Sequence, residues 1–238
     1  MKTPKNSGSF LHSLTQPSKP SSRRNFFSKS LAGGAAALAL AAIPFSTSKV
    51  MAAVEGPCDA CNDTLTDLDI LNYALTLEHL ENAFYRDGLK EFSKKDFKKS
   101  KFIRKLDDDI SDKVHSYFKI IAEHERVHVE TLTAVIISLG GTPVSELCYN
   151  FGYKKVEEFV AVAQLLENTG VMAYDGAIHL ICSPELRTAG ATIATVEARH
   201  ASYLNLLNGD VPFPLAFDVP KTMAEILAAA GGFIVPCP

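Results

Sequence analysis

Glu125 and His128, and again Glu197 and His200, form two Glu-x-x-His pairs in this chain. Residues three apart on a helix share a face, and a carboxylate beside an imidazole is a ligand pair for a divalent transition metal. Their surroundings give the pairs meaning. The line Val114, Phe118, Ile121, Glu125, His128, Leu132, Val135, Leu139 steps by threes and fours, as does Leu186, Gly190, Ile193, Glu197, His200, Leu204, Leu207. Both pairs therefore occupy core positions of amphipathic helices. Two further lines each carry one Glu followed seven residues later by a Tyr. They are Leu68, Leu71, Leu75, Glu78, Asn82, Tyr85, Leu89 and Val156, Val160, Ala163, Glu167, Gly170, Tyr174, Ala177, Ile181.

Spacing alone is weak support, since Glu146 and Tyr153 repeat the seven-residue step inside an expected loop. Physics decides the reading. An ionised carboxylate in an apolar core is strongly unfavourable unless it is paired or binds metal, and no Lys or Arg shares these four lines. Four carboxylates and two neutral imidazoles call for two divalent cations. The plainer alternative is a metal-free polar core, protonated or hydrogen-bonded around water, which is costly when only half satisfied.

Glu81 rivals Glu78, because Ile70, Ala74, Leu77, Glu81, Phe84 is also an apolar line; the matching Tyr85 favours Glu78. Glu123, His124 and Glu130 fall off their stripe and, with His79, are expected in solvent. His115 and His179 read as helix-end residues. Cys58-x-x-Cys61 lacks the second half of a zinc site, so a structural disulfide is expected for Cys58, with Cys61 or Cys237 as partner.

The periodic segments predict helices over 67–89, 109–139, 156–181 and 184–207. Gly88, Gly140-Gly141 and Gly209 serve as stops, and Ser183-Pro184 opens the last helix. The lysine-rich stretch 94–105 reads as a solvated connection. Residues 140–155 form a long link that permits a crossover, whereas Cys182-Ser183 is a tight turn. Pro-rich residues 208–238, with a short helix over 221–230, read as a strap packed on the bundle.

The phrases LNYALTLEHLENAFYRDGL, IAEHERVHVETL, LLENTGVMAYDGAI and IATVEARHASYLNLL resemble the ferritin-like superfamily of di-iron and di-manganese carboxylate proteins. More specifically, they resemble the family that includes plant desiccation-related proteins and their bacterial relatives. The resemblance implies an all-α, ferritin-like four-helix bundle over about 64–207, with one long crossover and a C-terminal strap. It implies two Fe or Mn ions, with Glu78 and Glu167 as terminal ligands, Glu125 and Glu197 bridging, and His128 and His200 each on one ion. Tyr85 and Tyr174 would stand beside them as catalytic residues.

Charge bounds the partners. Residues 1–52 carry seven Lys and Arg and no acid, leaving 17 basic against 27 acidic side chains, a net charge of −10. Such a body offers no basic footprint for nucleic acid. The leader itself, Ser22-Arg23-Arg24-Asn25-Phe26-Phe27 followed by the apolar run 31–45 and small residues near Ala52, reads as a twin-arginine export signal over 1–52. The run is too short and Ala/Gly-rich for a span, so no membrane attachment is expected after its removal. The chain is expected in the periplasm or outside the cell, as a ferritin-like domain over 53–238 that allows for a homo-oligomer. Two functions fit: a redox protein acting on O2, peroxide or Fe(II), and a non-catalytic envelope or desiccation-protective protein.

Overall fold

The computed structural model describes residues 65–237. The expected export signal and cleavage point, and Cys58 and Cys61 with their expected disulfide, lie outside the described residues.

Four long helices form the body: α1 (Asp67–Glu91), α4 (Val114–Ser138), α5 (Val156–Ala177) and α6 (Pro184–Asn208). Local chemistry sets their starts. The Thr66 hydroxyl accepts from Asp69 N at 3.2 Å while the Asp69 carboxylate accepts from Thr66 N at 2.8 Å, so two orphan N–H groups are satisfied together. Ser183 caps α6 through Leu186 N at 3.2 Å, and Pro184 occupies the first turn, where its missing N–H costs nothing. Gly209 ends α6 at φ +88°, a left-handed position that suits glycine.

The helices pack as two antiparallel hairpins, α1 on α4 and α5 on α6, with α1 also against α5. Asn72 near the start of α1 bonds Thr142 O (3.2 Å) and Val144 N (2.8 Å) just past the end of α4. Asp67 accepts from the backbone of Cys182 at 2.6 Å and Ser183 at 3.0 Å, tying the first turn of α1 to the turn between α5 and α6. The all-α expectation holds, and all eight positions of the α5 line are buried.

The connections depart from expectation. The lysine-rich stretch is not simply solvated: it contains α2 (Lys94–Lys99), a 3-10 turn over Ile103–Lys105 and the short α3 (Asp108–Ser111). Phe97 and Ile103 are buried because the apolar side of each short turn faces the bundle while the lysines face out. The second long helix consequently starts at Val114 rather than 109. Gly88 is no stop, since α1 runs on to Glu91; a Cβ there would lie 2.0 Å from the Phe159 ring. That ring stacks on Phe84 at 4.7 Å and meets Phe118 at 5.3 Å, an aromatic cluster that closes one end of the core. The third helix gives way at Ile178 to a 3-10 turn.

The crossover and strap are joined. Strand β1 (Cys148–Tyr149) pairs antiparallel with β2 (Ile234–Val235), and Cys148 forms a disulfide with Cys237. Cys237 is thus not the partner of Cys58; pairing across 89 residues leaves no trace in local spacing. The strap passes so close to α5 that a Cβ on Gly176 would stand 1.8 Å from Lys221 O. Beyond it, α7 (Met223–Ala230) buries Ile226. Residues 211–219 do not pack, however: Phe213 and Phe217 are exposed, on a segment whose prolines at 212 and 214 lack N–H donors. Among the described residues no helix is long and apolar enough to cross a membrane.

Candidate metal centre

The six residues singled out by the helical lines converge in the middle of the bundle. Glu78, Glu125, Glu167 and Glu197 are fully buried, and His128 and His200 nearly so. Their ligand atoms fall into two groups, each within 4.8 Å: Glu78, Glu125, His128, Glu197, and Glu125, Glu167, Glu197, His200. Glu125 and Glu197 belong to both groups. The three-residue step on α4 and α6 places each shared glutamate one turn from its histidine, while α1 and α5 each contribute one further carboxylate.

Each histidine meets more oxygens than it can satisfy. His128 Nδ1 lies 3.2 Å from Glu78 Oε2, 3.1 Å from Glu125 Oε2 and 3.2 Å from Glu197 Oε1. His200 Nδ1 lies 3.2 Å from Glu125 Oε1, 3.0 Å from Glu167 Oε2 and 3.7 Å from Glu197 Oε2. One ring nitrogen carries at most one proton, and one N–H points at one acceptor. Glu125 Oε1 and both Glu197 oxygens are buried without a hydrogen bond. The His128–Glu197 contact is therefore electrostatic rather than a directed bond. Buried acceptors left this way are rare in native cores. Four carboxylates and two imidazoles aimed at two points form an oxygen-rich donor set, which suits iron or manganese.

The two tyrosines tie the hairpins together crosswise. Tyr85 on α1 donates to Glu167 Oε1 on α5 at 2.5 Å, and Tyr174 on α5 donates to Glu78 Oε1 on α1 at 2.5 Å. Each tyrosine thus holds the carboxylate of the opposite helix, not the one seven residues before it. Burial, reinforced by the adjacent carboxylates, pushes both phenols well above their ordinary range, which keeps them as donors.

Electrostatics of the metal-free core follow from this crowding. Burial, with Glu197 and Glu125 nearby, raises Glu78 to about 8 against the pull of His128, and burial with Glu197 and Glu125 lifts Glu167 well up. Burial disfavours charge on the imidazoles too, but the carboxylates around them win, raising His128 and carrying His200 to about 12. Burial also pushes Glu197 up, yet the two imidazoles outweigh it and hold this carboxyl low.

One neighbour, His124, escaped the sequence reading, and another, Glu81, stood there as the rival to Glu78. His124 is not in solvent: it is half-buried, its ring stacks on His200, and its Nδ1 lies 2.8 Å from His200 Nε2. It stands at the edge of the α4 stripe, where a side chain turns toward α6. Glu81 is 3 % exposed and its pKa is raised well above the usual range by burial and then by the four core glutamates. It belongs to neither ligand group, so Glu78 is the α1 carboxylate that meets the histidines. Both α1 lines are interior, because α1 packs against α4 and α5 together. Glu123 and Glu130 are exposed, as expected, and both pair with Arg126. His79 is part-buried against Val144 O at 3.1 Å, not free in solvent.

A ferritin-like domain model matches residues 66–210. The chain is also similar to protein rds1 of Schizosaccharomyces pombe, 28 % identical over 178 residues, which is 72 % of this chain and 40 % of that protein. The chain therefore spans about 40 % of the length of this curated relative.

At pH 7 Glu78 and His200 hold protons in the metal-free core, because both sit above neutrality. A cation reaches their donor atoms only by displacing those protons. Loading metal-free protein with Mn(II) is expected to release at least about two protons per chain, and to weaken as the pH falls. Calorimetry in buffers of different ionisation enthalpy counts them; heats that do not depend on the buffer would contradict the reading.

Proposed function

The chain belongs to the ferritin-like domain family, and on that premise we propose that it is an exported two-metal carboxylate protein that reduces O2 or peroxide. The observation that carries this reading is the pair of histidine nitrogens, each facing carboxylates from three different helices with more acceptors than protons. In this reading Glu125 and Glu197 would be shared by two ions, with Glu78 and His128 holding one and Glu167 and His200 the other. Two iron or manganese ions held there would supply paired redox centres.

The chain's own groups do the rest. Six donors fixed on four packed helices hold the ions without a mobile loop. Tyr85 and Tyr174 position the two terminal carboxylates and keep a proton at each phenol oxygen. The surrounding apolar side chains exclude water, so charge at the centre is weakly screened. Iron or manganese held there would supply the two electrons that, with two protons, take O2 to hydrogen peroxide.

One observation favours a second reading, a non-catalytic protective protein on the same scaffold. Glu78 bonds His128 at 3.2 Å and Glu167 bonds His200 at 3.0 Å, a partial internal balance of charge. Substitution separates the two readings. Glu125→Gln keeps the shape and removes one charge shared by both sites, so metal content should fall at least about tenfold while helical content stays. Glu130→Gln, exposed on the same helix, should change neither. Equal metal content and redox activity in the two variants would favour the scaffold.

Export is proposed from Arg23-Arg24 and the apolar run after them. Replacing both arginines by lysine should retain the unprocessed chain in the cytoplasm; normal export of that variant would refute a twin-arginine route.

A further inference from the structure

An apolar cavity of about 50 Å³ opens between α1 and α5 beneath the C-terminal helix α7. Leu77 and Leu80 of α1, Leu166 of α5 and Phe233 after α7 wall it. Its outer end lies at Ala229 and Leu165, both exposed, and its inner end at Glu81 and Gly170, both buried.

The inner end borders the carboxylate cluster. A Cβ on Gly170 would stand 3.0 Å from Glu81 Oε1 and 3.6 Å from Glu197 Oε2. This glycine therefore lines the cavity and also lies beside Glu81 and a carboxylate shared by both ligand groups, with no side chain of its own in that space. A methyl group here would occupy that space.

Size and lining select the occupant. The volume takes a molecule of about two or three heavy atoms. An ordered water needs two to four polar partners, and apolar cavities stay dry and take up xenon or small hydrocarbons instead. Glu81 is the one ionisable side chain on the wall. A charged ion would lose its hydration with nothing to replace it. Hydrogen peroxide, which needs several hydrogen-bond partners, fits less well than O2.

From this lining we propose that the cavity is a binding pocket and entry route for a small, uncharged, apolar molecule, dioxygen, to the carboxylate centre. This rests on the two-metal reading above and narrows its oxidant from O2 or peroxide to O2. It also gives the strap a function that its sequence does not announce: α7 and Phe233, anchored by β2 and the Cys148–Cys237 disulfide, form the outer wall.

Two variants test the route at its two ends. Ala229→Phe adds a ring at the exposed mouth, where folding has little at stake, and Gly170→Ala adds a methyl at the inner end. Crystals of the wild-type protein under xenon pressure should show a xenon atom among Leu80, Leu166 and Phe233, and Ala229→Phe crystals should lack it. Both variants should load Fe(II) to the wild-type level under anaerobic conditions. Their oxidation by dissolved O2, followed by stopped flow, should then be at least about tenfold slower, with oxidation by added hydrogen peroxide changed less. A wild-type cavity that stays empty under xenon overturns the proposal, as does an unchanged O2 rate in a variant that excludes xenon. If the wild-type chain loads no metal, the two-metal reading fails on that analysis, and xenon occupancy still decides for or against the pocket.

Discussion

Four carboxylates gathered in the apolar centre of a helical bundle are the constraint on which the other features depend. Desolvation of even one carboxylate outweighs any single hydrophobic contact in the core, so the cluster persists only if opposite charge or protons stand within a few ångströms. In the metal-free chain the two imidazoles supply that charge in part, which is why His200 rises to about 12 while Glu197 is held low. Three shared carboxylate oxygens still lack hydrogen bonds. The core is thus built for more positive charge than its own side chains provide.

The remainder of the fold serves to hold these groups at fixed separation. The two hairpins are fastened to one another at the centre by the crossed Tyr85–Glu167 and Tyr174–Glu78 bonds, and at one end by Asp67 on the backbone of Cys182 and Ser183. The aromatic cluster around Phe159 closes the other end. Because each tyrosine grips the opposite hairpin, displacement of either hairpin would move a carboxylate out of both its hydrogen bond and its ligand group. The strap adds a second layer on α1 and α5, tied to the crossover by the disulfide.

How much was legible in the sequence followed from periodicity. The six donors could be found because each interrupts an otherwise apolar line stepping by threes and fours, and a charged residue there demands an explanation. The apolar lines alone could not rank Glu78 over Glu81, since α1 is buried along two lines and both carry a glutamate; only the seven-residue step to Tyr85 favoured Glu78. Nor could spacing show that Tyr85 serves Glu167: a seven-residue step identifies a face, whereas the partner depends on how two hairpins cross. His124 sat at the edge of a stripe, where burial is decided by the neighbouring helix. Phe97 and Ile103 were masked by the lysines around them, and Cys148–Cys237 joins segments whose proximity exists only in the folded chain.

The central claim is that this cluster is a two-cation site, and anomalous diffraction from crystals of the purified protein tests it most directly. Data collected on either side of the iron and manganese absorption edges should show two peaks about 3.5–4 Å apart, both flanked by Glu125 and Glu197. One should lie near His128 Nδ1 and the other near His200 Nδ1. The same carboxylate arrangement with water alone between the side chains, and no peak at either edge, would contradict it.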